Sequence, residues 1–166
     1  KSNQLTFVEL GGEAFRRAAE GGRRGRDAWE NVGAADLLNS NNKKMLVFIL
    51  DYGINQGVND RCRSETEQAQ ILETMLTAVL DRDGTGMENR RGCTLSKTDS
   101  VAVVVTKSDL MGEDDHERRD KLAMEYVKNR FSNFMNTLTE KCREYGINSR
   151  VGYAPYVMAF SLGKLF

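Results

Sequence analysis

The chain has 166 residues, 40% of them apolar and 29% charged, as expected for one globular domain with a hydrophobic core. Lysine plus arginine equals aspartate plus glutamate at 24 each, so charge indicates neither a nucleic acid nor a membrane as a partner. No apolar stretch approaches the roughly 18 residues of a membrane span, and no signal peptide is visible. Three widely spaced cysteines favour a reducing cytoplasm, and a single histidine argues against a zinc site.

The first part of the chain predicts one strand among short helices and loops. Gln4–Leu10 is the strand candidate, and the glycines after it would end it. Short helices are expected at Glu13–Glu20 and around Trp29–Leu38. The basic run Arg16–Arg26 is interpreted first as a solvated loop, with contact to a phosphate or a partner as the alternative.

The middle of the chain predicts two buried strands separated by a helix. Met45–Leu50 and Val101–Val105 are continuous apolar runs, which favour strands covered on both faces, as in a parallel sheet. A helix is expected to begin at Ser64 and to end near Asp83, followed by a loop to Asp99. Its apolar residues recur at helical spacing and predict one buried face: Ile71, Leu72, Met75, Leu76, Val79 and Leu80.

The last part predicts one long helix and a final strand. Asp114 or Asp115 would cap a helix that continues to about Tyr145 and ends at Gly146. The strand Tyr156–Phe160 follows. Strands that alternate with helices indicate an α/β fold with a mostly parallel sheet.

The segment after Val101–Val105 carries the most informative motif. Ligands of open parallel sheets bind at the carboxyl ends of the strands. The residues at this point are Thr106, Lys107, Ser108 and Asp109. A strand followed by Asn or Thr, then Lys-x-Asp, resembles the base-recognition motif of P-loop GTPases of the TRAFAC and Ras-like class.

This resemblance implies guanine recognition with a clear physical basis. The Asp109 carboxylate would accept two hydrogen bonds from the ring N–H and the exocyclic amine of guanine, a donor pair that adenine lacks. Lys107 would lay its alkyl chain along the base plane. Thr106 stands where asparagine is commoner, and its hydroxyl can still tie neighbouring loops together.

The end of the chain is similar to a second guanine-binding loop of these GTPases. Their final sheet strand leads into a short Ser-Ala-Lys or Ser-Ala-Leu loop, whose backbone N–H groups meet the guanine oxygen. Here Ser161, Leu162, Gly163 and Lys164 follow the last strand. The resemblance assigns the first three to guanine binding, although Leu162 departs from the usual alanine.

The segment after Gln4–Leu10 is similar to the Asp-x-x-Gly motif that faces magnesium and the γ-phosphate. Glu9 would take the place of the aspartate, and Gly12 that of the glycine. Glu13 falls where some members carry a water-positioning glutamine, which makes it the catalytic candidate. Glutamate at position 9 is a departure from the family, since its carboxylate extends one bond further.

The phosphate-binding loop Gly-x-x-x-x-Gly-Lys-[Ser/Thr] does not occur in the sequence. In the family it precedes the Asp-x-x-Gly strand, so it is expected upstream of Lys1. Residues 1–166 would then be part of a three-layer, P-loop-NTPase-like sandwich. The intact parent would bind GTP with magnesium and hydrolyse it. This chain alone would bind nucleotide weakly and would need the N-terminal half of the domain or another protein.

Two alternatives stay open. The chain could be a degenerate GTPase-fold module for structure or protein interaction, without nucleotide, or an unrelated flavodoxin-like or Rossmann-like domain. The GTPase hypothesis predicts that Asp109 lies close to Ser161 at one edge of the sheet. The segment Asp51–Gly53, which follows another strand, is interpreted as an ordinary connecting loop.

Overall fold

The computed structural model describes residues 38, 40–53, 68–81 and 93–161. Within them lie three strands, β1 (Met45–Asp51), β2 (Ser100–Thr106) and β3 (Tyr156–Ala159). The helices are α1 (residues 68–80), α2 (His116–Arg130) and α3 (Ser132–Tyr145). The chain is therefore α/β in its described part, as the alternating pattern predicts.

The three strands form one parallel sheet in the order β1-β2-β3. Phe48 pairs with Val103, which pairs in turn with Val157. At the far edge, the backbone N–H of Ala159 donates to the Asp120 carboxylate of α2 at 2.7 Å. This contact satisfies a backbone group that an edge strand would otherwise offer to another chain.

One face of the sheet carries the hydrophobic core. Val101, Val103 and Val105 are fully buried, and Phe48 and Leu50 lie on the same face of β1. Buried residues of the helices pack against them: Leu76, Leu80, Ala123, Val127, Phe131, Phe134, Leu138 and Cys142. The Phe48 and Phe134 rings meet edge to face with centroids 5.2 Å apart. This cluster fixes α2 and α3 on the sheet.

The other face of the sheet is apolar. On β1 and β3 it is exposed, which corrects the expectation that Met45–Leu50 is covered on both faces, whereas on β2 Ala102 of this face is fully buried. Val47 and Ile49 of β1 are 48% and 57% exposed, and Tyr156 and Met158 of β3 are 43% and 40% exposed. The register places these side chains on one face, opposite the core. A continuous apolar run therefore indicates two apolar faces, and among the described residues the second face is fully buried only at Ala102 of the central strand.

The single long helix expected from Asp115 to Tyr145 is instead two helices. Phe131 leaves the helical conformation, with φ −125° and ψ 36°, between α2 and α3. Its N–H still donates to Val127 O at 2.9 Å, and its carbonyl accepts from Met135 N at 2.9 Å. The buried positions continue at helical spacing through the break, so the hydrophobic pattern could not reveal it.

The predicted ends of this helical region are confirmed. Asp115 caps α2, its side chain accepting from Arg118 N at 2.9 Å. Gly146 adopts the left-handed conformation with φ 72° directly after α3, as helix-ending glycines do.

The segment before β2 is part of the core, although the sequence predicted only a loop there. Cys93 and Leu95 are fully buried, and Leu95–Lys97 forms a short 3₁₀ turn. In α1, Met75, Leu76 and Leu80 are buried, in agreement with the predicted apolar face, and Met75–Leu80 is a π-helical stretch. The predicted strand Gln4–Leu10, the short helices after it and the start of the helix at Ser64 lie outside the described residues.

Across residues 38, 40–53, 68–81 and 93–161, none of the helices combines the length and apolarity that a membrane crossing requires.

Candidate functional site

The carboxyl ends of the three parallel strands lie side by side at one edge of the sheet, called here the carboxyl edge. Asp51 ends β1 and pairs directly with Thr106, which ends β2. The N–H of Phe160, just past β3, donates to Val105 O at 2.8 Å. The polar residues that follow the strands are therefore neighbours in space, as is usual for ligand sites of open parallel sheets.

A tight turn follows β2. Lys107 has φ 57° and ψ 33°, a left-handed conformation that is uncommon for a residue other than glycine. A short 3₁₀ turn, Ser108–Met111, comes next. Ser108 is buried, and its N–H donates to Phe160 O at 3.3 Å. The turn is thus attached to the end of β3, while Lys107 and Asp109 on either side of Ser108 remain exposed.

Asp109 and Ser161 are in direct contact. The Ser161 hydroxyl donates to Asp109 Oδ1 at 3.0 Å, across 52 residues of sequence. This is the juxtaposition that the sequence predicts for the two guanine-binding loops. Leu162 and Gly163, the other predicted residues of the second loop, lie outside the described residues.

Thr106 and Lys107 converge on the carboxylate of Asp51. The Thr106 hydroxyl donates to Asp51 Oδ1 and lies 3.2 Å from Leu50 O. Lys107 Nζ donates to Asp51 Oδ2 at 2.9 Å in an ion pair that is partly exposed. Each oxygen of this one carboxylate therefore receives a hydrogen bond from a predicted base-binding residue.

The electrostatics of Asp51 follow from these contacts. Burial alone would raise the pKa of this carboxyl, but the hydrogen bonds from Thr106 and Lys107, together with the lysine charge, outweigh burial and lower it. The carboxylate is accordingly ionised at neutral pH and carries the charge that attracts Lys107.

The backbone at Asp51 and Tyr52 is also held by hydrogen bonds. The hydroxyl of Tyr126 in α2 donates to Asp51 O at 3.1 Å, and its ring meets Tyr52 edge to face at 4.9 Å. The N–H of Tyr52 donates to Thr106 O at 3.0 Å. Asp51 was predicted as part of an ordinary loop. The signal that could have identified it is an acidic residue at the end of a strand adjacent to β2.

The predicted phosphate and magnesium residues, Glu9 and Gly12, and the predicted catalytic residue Glu13 lie outside the described residues. Within the described ranges, no group of three or more His, Cys, Asp or Glu side chains is arranged to hold a metal ion. In its described part the carboxyl edge brings together the carboxylates of Asp51 and Asp109, the ammonium group of Lys107 and the hydroxyls of Thr106 and Ser161.

No family model matches the chain, and no curated protein or solved structure is significantly similar to it.

Proposed function

We propose that this chain supplies guanine recognition to a GTP-binding domain, with Asp109 as the residue that selects the base. The observation that carries the proposal is the 3.0 Å hydrogen bond between Ser161 and Asp109 at the carboxyl edge. Two loops that resemble guanine-binding loops in sequence are adjacent in space, and they are so at the edge where parallel sheets bind ligands.

The Asp109 carboxylate has the capacity that the proposal requires. An ionised carboxylate offers about four acceptor sites. Ser161 occupies one of them, which leaves room for the paired donors of guanine. Asp109 is also exposed, so a base can reach it. Adenine presents no such donor pair and would leave the carboxylate desolvated without compensation, which is a strong basis for rejection.

Thr106 and Lys107 fit the roles that the motif implies for them. The Thr106 hydroxyl connects the end of β2 to the end of β1. With Nζ held by Asp51, the methylene chain of Lys107 runs from the end of β2 towards the end of β1. It presents an apolar strip on which a purine ring can lie.

For the intact domain we propose GTP with magnesium as the ligand and hydrolysis by water as the reaction. Glu9 and Gly12 would face the magnesium ion and the γ-phosphate, and Glu13 would orient the water. Magnesium would neutralise charge on the phosphates. The described residues contribute the base side of such a site, so phosphate binding would come from the N-terminal half of the domain or from another protein.

The proposal extends to a three-layer, P-loop-NTPase-like fold. In such a sandwich helices cover both faces of the sheet. The exposed apolar face around Val47, Ile49 and Met158 is where a second helical layer would lie. Burial of that face would give the continuous apolarity of β1 and β2 its usual explanation.

The test is a titration with GDP and with the corresponding xanthine nucleotide, monitored by the backbone amide NMR signals of Ser108, Asp109 and Ser161. We expect weak binding of GDP that shifts these signals, because the phosphates have few contacts. Asp109→Asn should move the preference from guanine to xanthine, since an amide can donate to the extra carbonyl. Asp114→Asn, another exposed aspartate on the same loop, is the matched control. An unchanged preference in Asp109→Asn would show that Asp109 is only a turn residue.

A second candidate function has its own observation. The exposed apolar face favours a module that binds protein and no nucleotide, because contiguous apolar patches mark interaction sites. The two functions differ in the titration: an interaction module would show no nucleotide-dependent shifts at the carboxyl edge.

A further inference from the structure

We infer that Asp51 is a positioning residue of the guanine site: its carboxylate holds Thr106 and Lys107 in the arrangement that receives the base. The inference rests on the proposed function and adds to it a residue that the motif does not contain. Asp51 comes from a different strand, 55 residues before Thr106 in the sequence.

The geometry of the carboxylate carries this inference. Its two oxygens are divided between two partners, Thr106 on Oδ1 and Lys107 on Oδ2. Pairing of Asp51 with Thr106 in the sheet sets the backbone beneath these contacts, and Tyr126 holds the Asp51 carbonyl from the helical layer. The carboxylate therefore has both of its partners without any ligand.

Asp51 matters because of the conformation of Lys107. A lysine side chain has large rotational freedom, and restricting it on binding reduces affinity. Here the left-handed backbone and the Asp51 contact together define both ends of the side chain. Part of the ordering of the methylene chain is thus present in the free protein, which lessens the loss of rotational freedom on binding.

The roles of Asp51 and Asp109 are separable. Asp109 is on the Ser161 side of the turn and chooses among bases, whereas Asp51 acts only through its neighbours. Loss of the Asp51 charge should weaken binding of every purine that stacks on Lys107 without altering which purine is preferred.

The experiment is a double-mutant cycle on the whole chain, with GDP as the probe. Asp51→Asn should weaken GDP binding by about twofold to fivefold, because the Asp51–Lys107 pair is partly exposed and such pairs contribute little free energy. In a Lys107→Ala background the same substitution should have almost no further effect, because the lysine that needs the charge is gone and asparagine keeps an oxygen that accepts from Thr106. In an Asp109→Asn background it should weaken binding of the xanthine nucleotide by the same factor. Asp114→Asn is again the control.

The possible failures are distinct. If wild type binds GDP and Asp109→Asn switches preference, but Asp51→Asn binds as wild type or its effect adds fully to that of Lys107→Ala, Asp51 is not a positioning residue. If neither base is bound or Asp109→Asn switches nothing, the proposed function is wrong and the inference with it. Should Asp51→Asn not fold, Lys107→Gln breaks the same ion pair from the other side, and we expect a loss of affinity at least as large, because this substitution also shortens the chain on which the base would lie.

Discussion

The two ends of the parallel sheet each hold one informative set of polar contacts, centred on Asn148 at the amino edge and on Asp51 and Asp109 at the carboxyl edge. At the amino edge, the start of β2, the side chain of Asn148 is 5% exposed, and all four of its hydrogen-bonding positions are used. Its oxygen accepts from Ser100 Oγ at 2.8 Å and Val101 N at 3.1 Å. Its nitrogen donates to Val101 O and Ala154 O, both at 2.9 Å.

At the carboxyl edge, Asp51, Lys107 and Asp109 are charged, and their side chains are exposed or partly exposed. Lys107 and Asp109 are both exposed, and the Asp51–Lys107 pair is open to solvent at 36% and 52% of the two side chains. Exposed pairs of this kind contribute only about 0–1 kcal/mol to stability. The contrast shows that the polar side chain of Asn148 is satisfied within the fold, whereas Lys107 and Asp109 keep their charged groups at the surface.

The largest effect on stability should come from Asn148→Asp at the amino edge, which replaces the amide nitrogen by an oxygen. The new carboxylate would face the carbonyls of Val101 and Ala154 in place of two donors. An unpaired buried charge costs about 3–5 kcal/mol, so we expect a loss near 4 kcal/mol in the free energy of unfolding, measured by urea denaturation at neutral pH.

Asn136→Asp provides the matched control for this exchange. Asn136 is exposed on α3, where the same change should cost less than about 0.5 kcal/mol. The Asn148→Asp variant should also regain stability in acid, as the buried carboxyl becomes protonated. A loss below about 1 kcal/mol would mean that the hydrogen bonds of Asn148 contribute little to the stability of the fold.

The next effect concerns Cys142, a buried residue of α3. Burial raises the pKa of the Cys142 thiol from 9.0 to about 11. Because the folded-state pKa is the higher one, the thiol contributes fully below about pH 9, and its contribution is lost as the pH rises to about 11. The loss should be about 2 kcal/mol, measured by denaturation across this window.

Cys142→Ala should reduce the alkaline loss without removing it. Burial, followed by a hydrogen bond to Asp81, also raises the pKa of Tyr145, which adds a loss of the same sign. The variant will be less stable at neutral pH because it creates a cavity, so the diagnostic quantity is the slope of stability against pH. An unchanged slope would show that Cys142 is not the titrating group.

Sequence patterns predicted an element correctly where the residues that define it have a single common structural role. The runs around Val47 and Val103 are strands, Asp115 is a cap, and Gly146 ends a helix. The break at Phe131 was missed because the apolar spacing continues through it. The exposed sheet face was missed because apolar composition does not report what covers a surface.

The candidate site was predictable in part. The motif indicated Thr106, Lys107 and Asp109, and the order of elements indicated that Ser161 would be near Asp109. Asp51 was not recognised, since its importance arises from the pairing of β1 with β2, which brings it beside Thr106. A contact of this kind depends on strand order, and a local motif does not contain that information.

A smaller effect should test the strain at the turn itself. At position 107, φ is 57°, a conformation that costs a residue with a Cβ roughly 1–2 kcal/mol. Lys107→Gly should therefore be more stable than Lys107→Ala by about 1 kcal/mol, measured by thermal or urea unfolding, although both variants lose the ion pair. At the exposed helical position Lys128 the order should reverse, with alanine favoured by about 1 kcal/mol. Alanine favoured at position 107 would contradict the left-handed turn.

The smallest effect on stability should come from Asp109→Asn, the reverse of the exchange made at Asn148. The amide oxygen can still accept from the Ser161 hydroxyl, and the site is exposed, so neither a hydrogen bond nor a buried charge is at stake. We expect the free energy of unfolding to change by less than about 0.5 kcal/mol, measured beside Asn148→Asp under the same conditions. Both exchanges alter one group of atoms, yet their costs should differ by several kcal/mol, because one residue serves the folded chain and the other is available to a ligand. A loss above about 1 kcal/mol would instead make Asp109 a structural anchor, and the carboxyl edge would then resemble the amino edge. A stable Asp109→Asn variant with altered nucleotide preference would locate the function of Asp109 in binding alone.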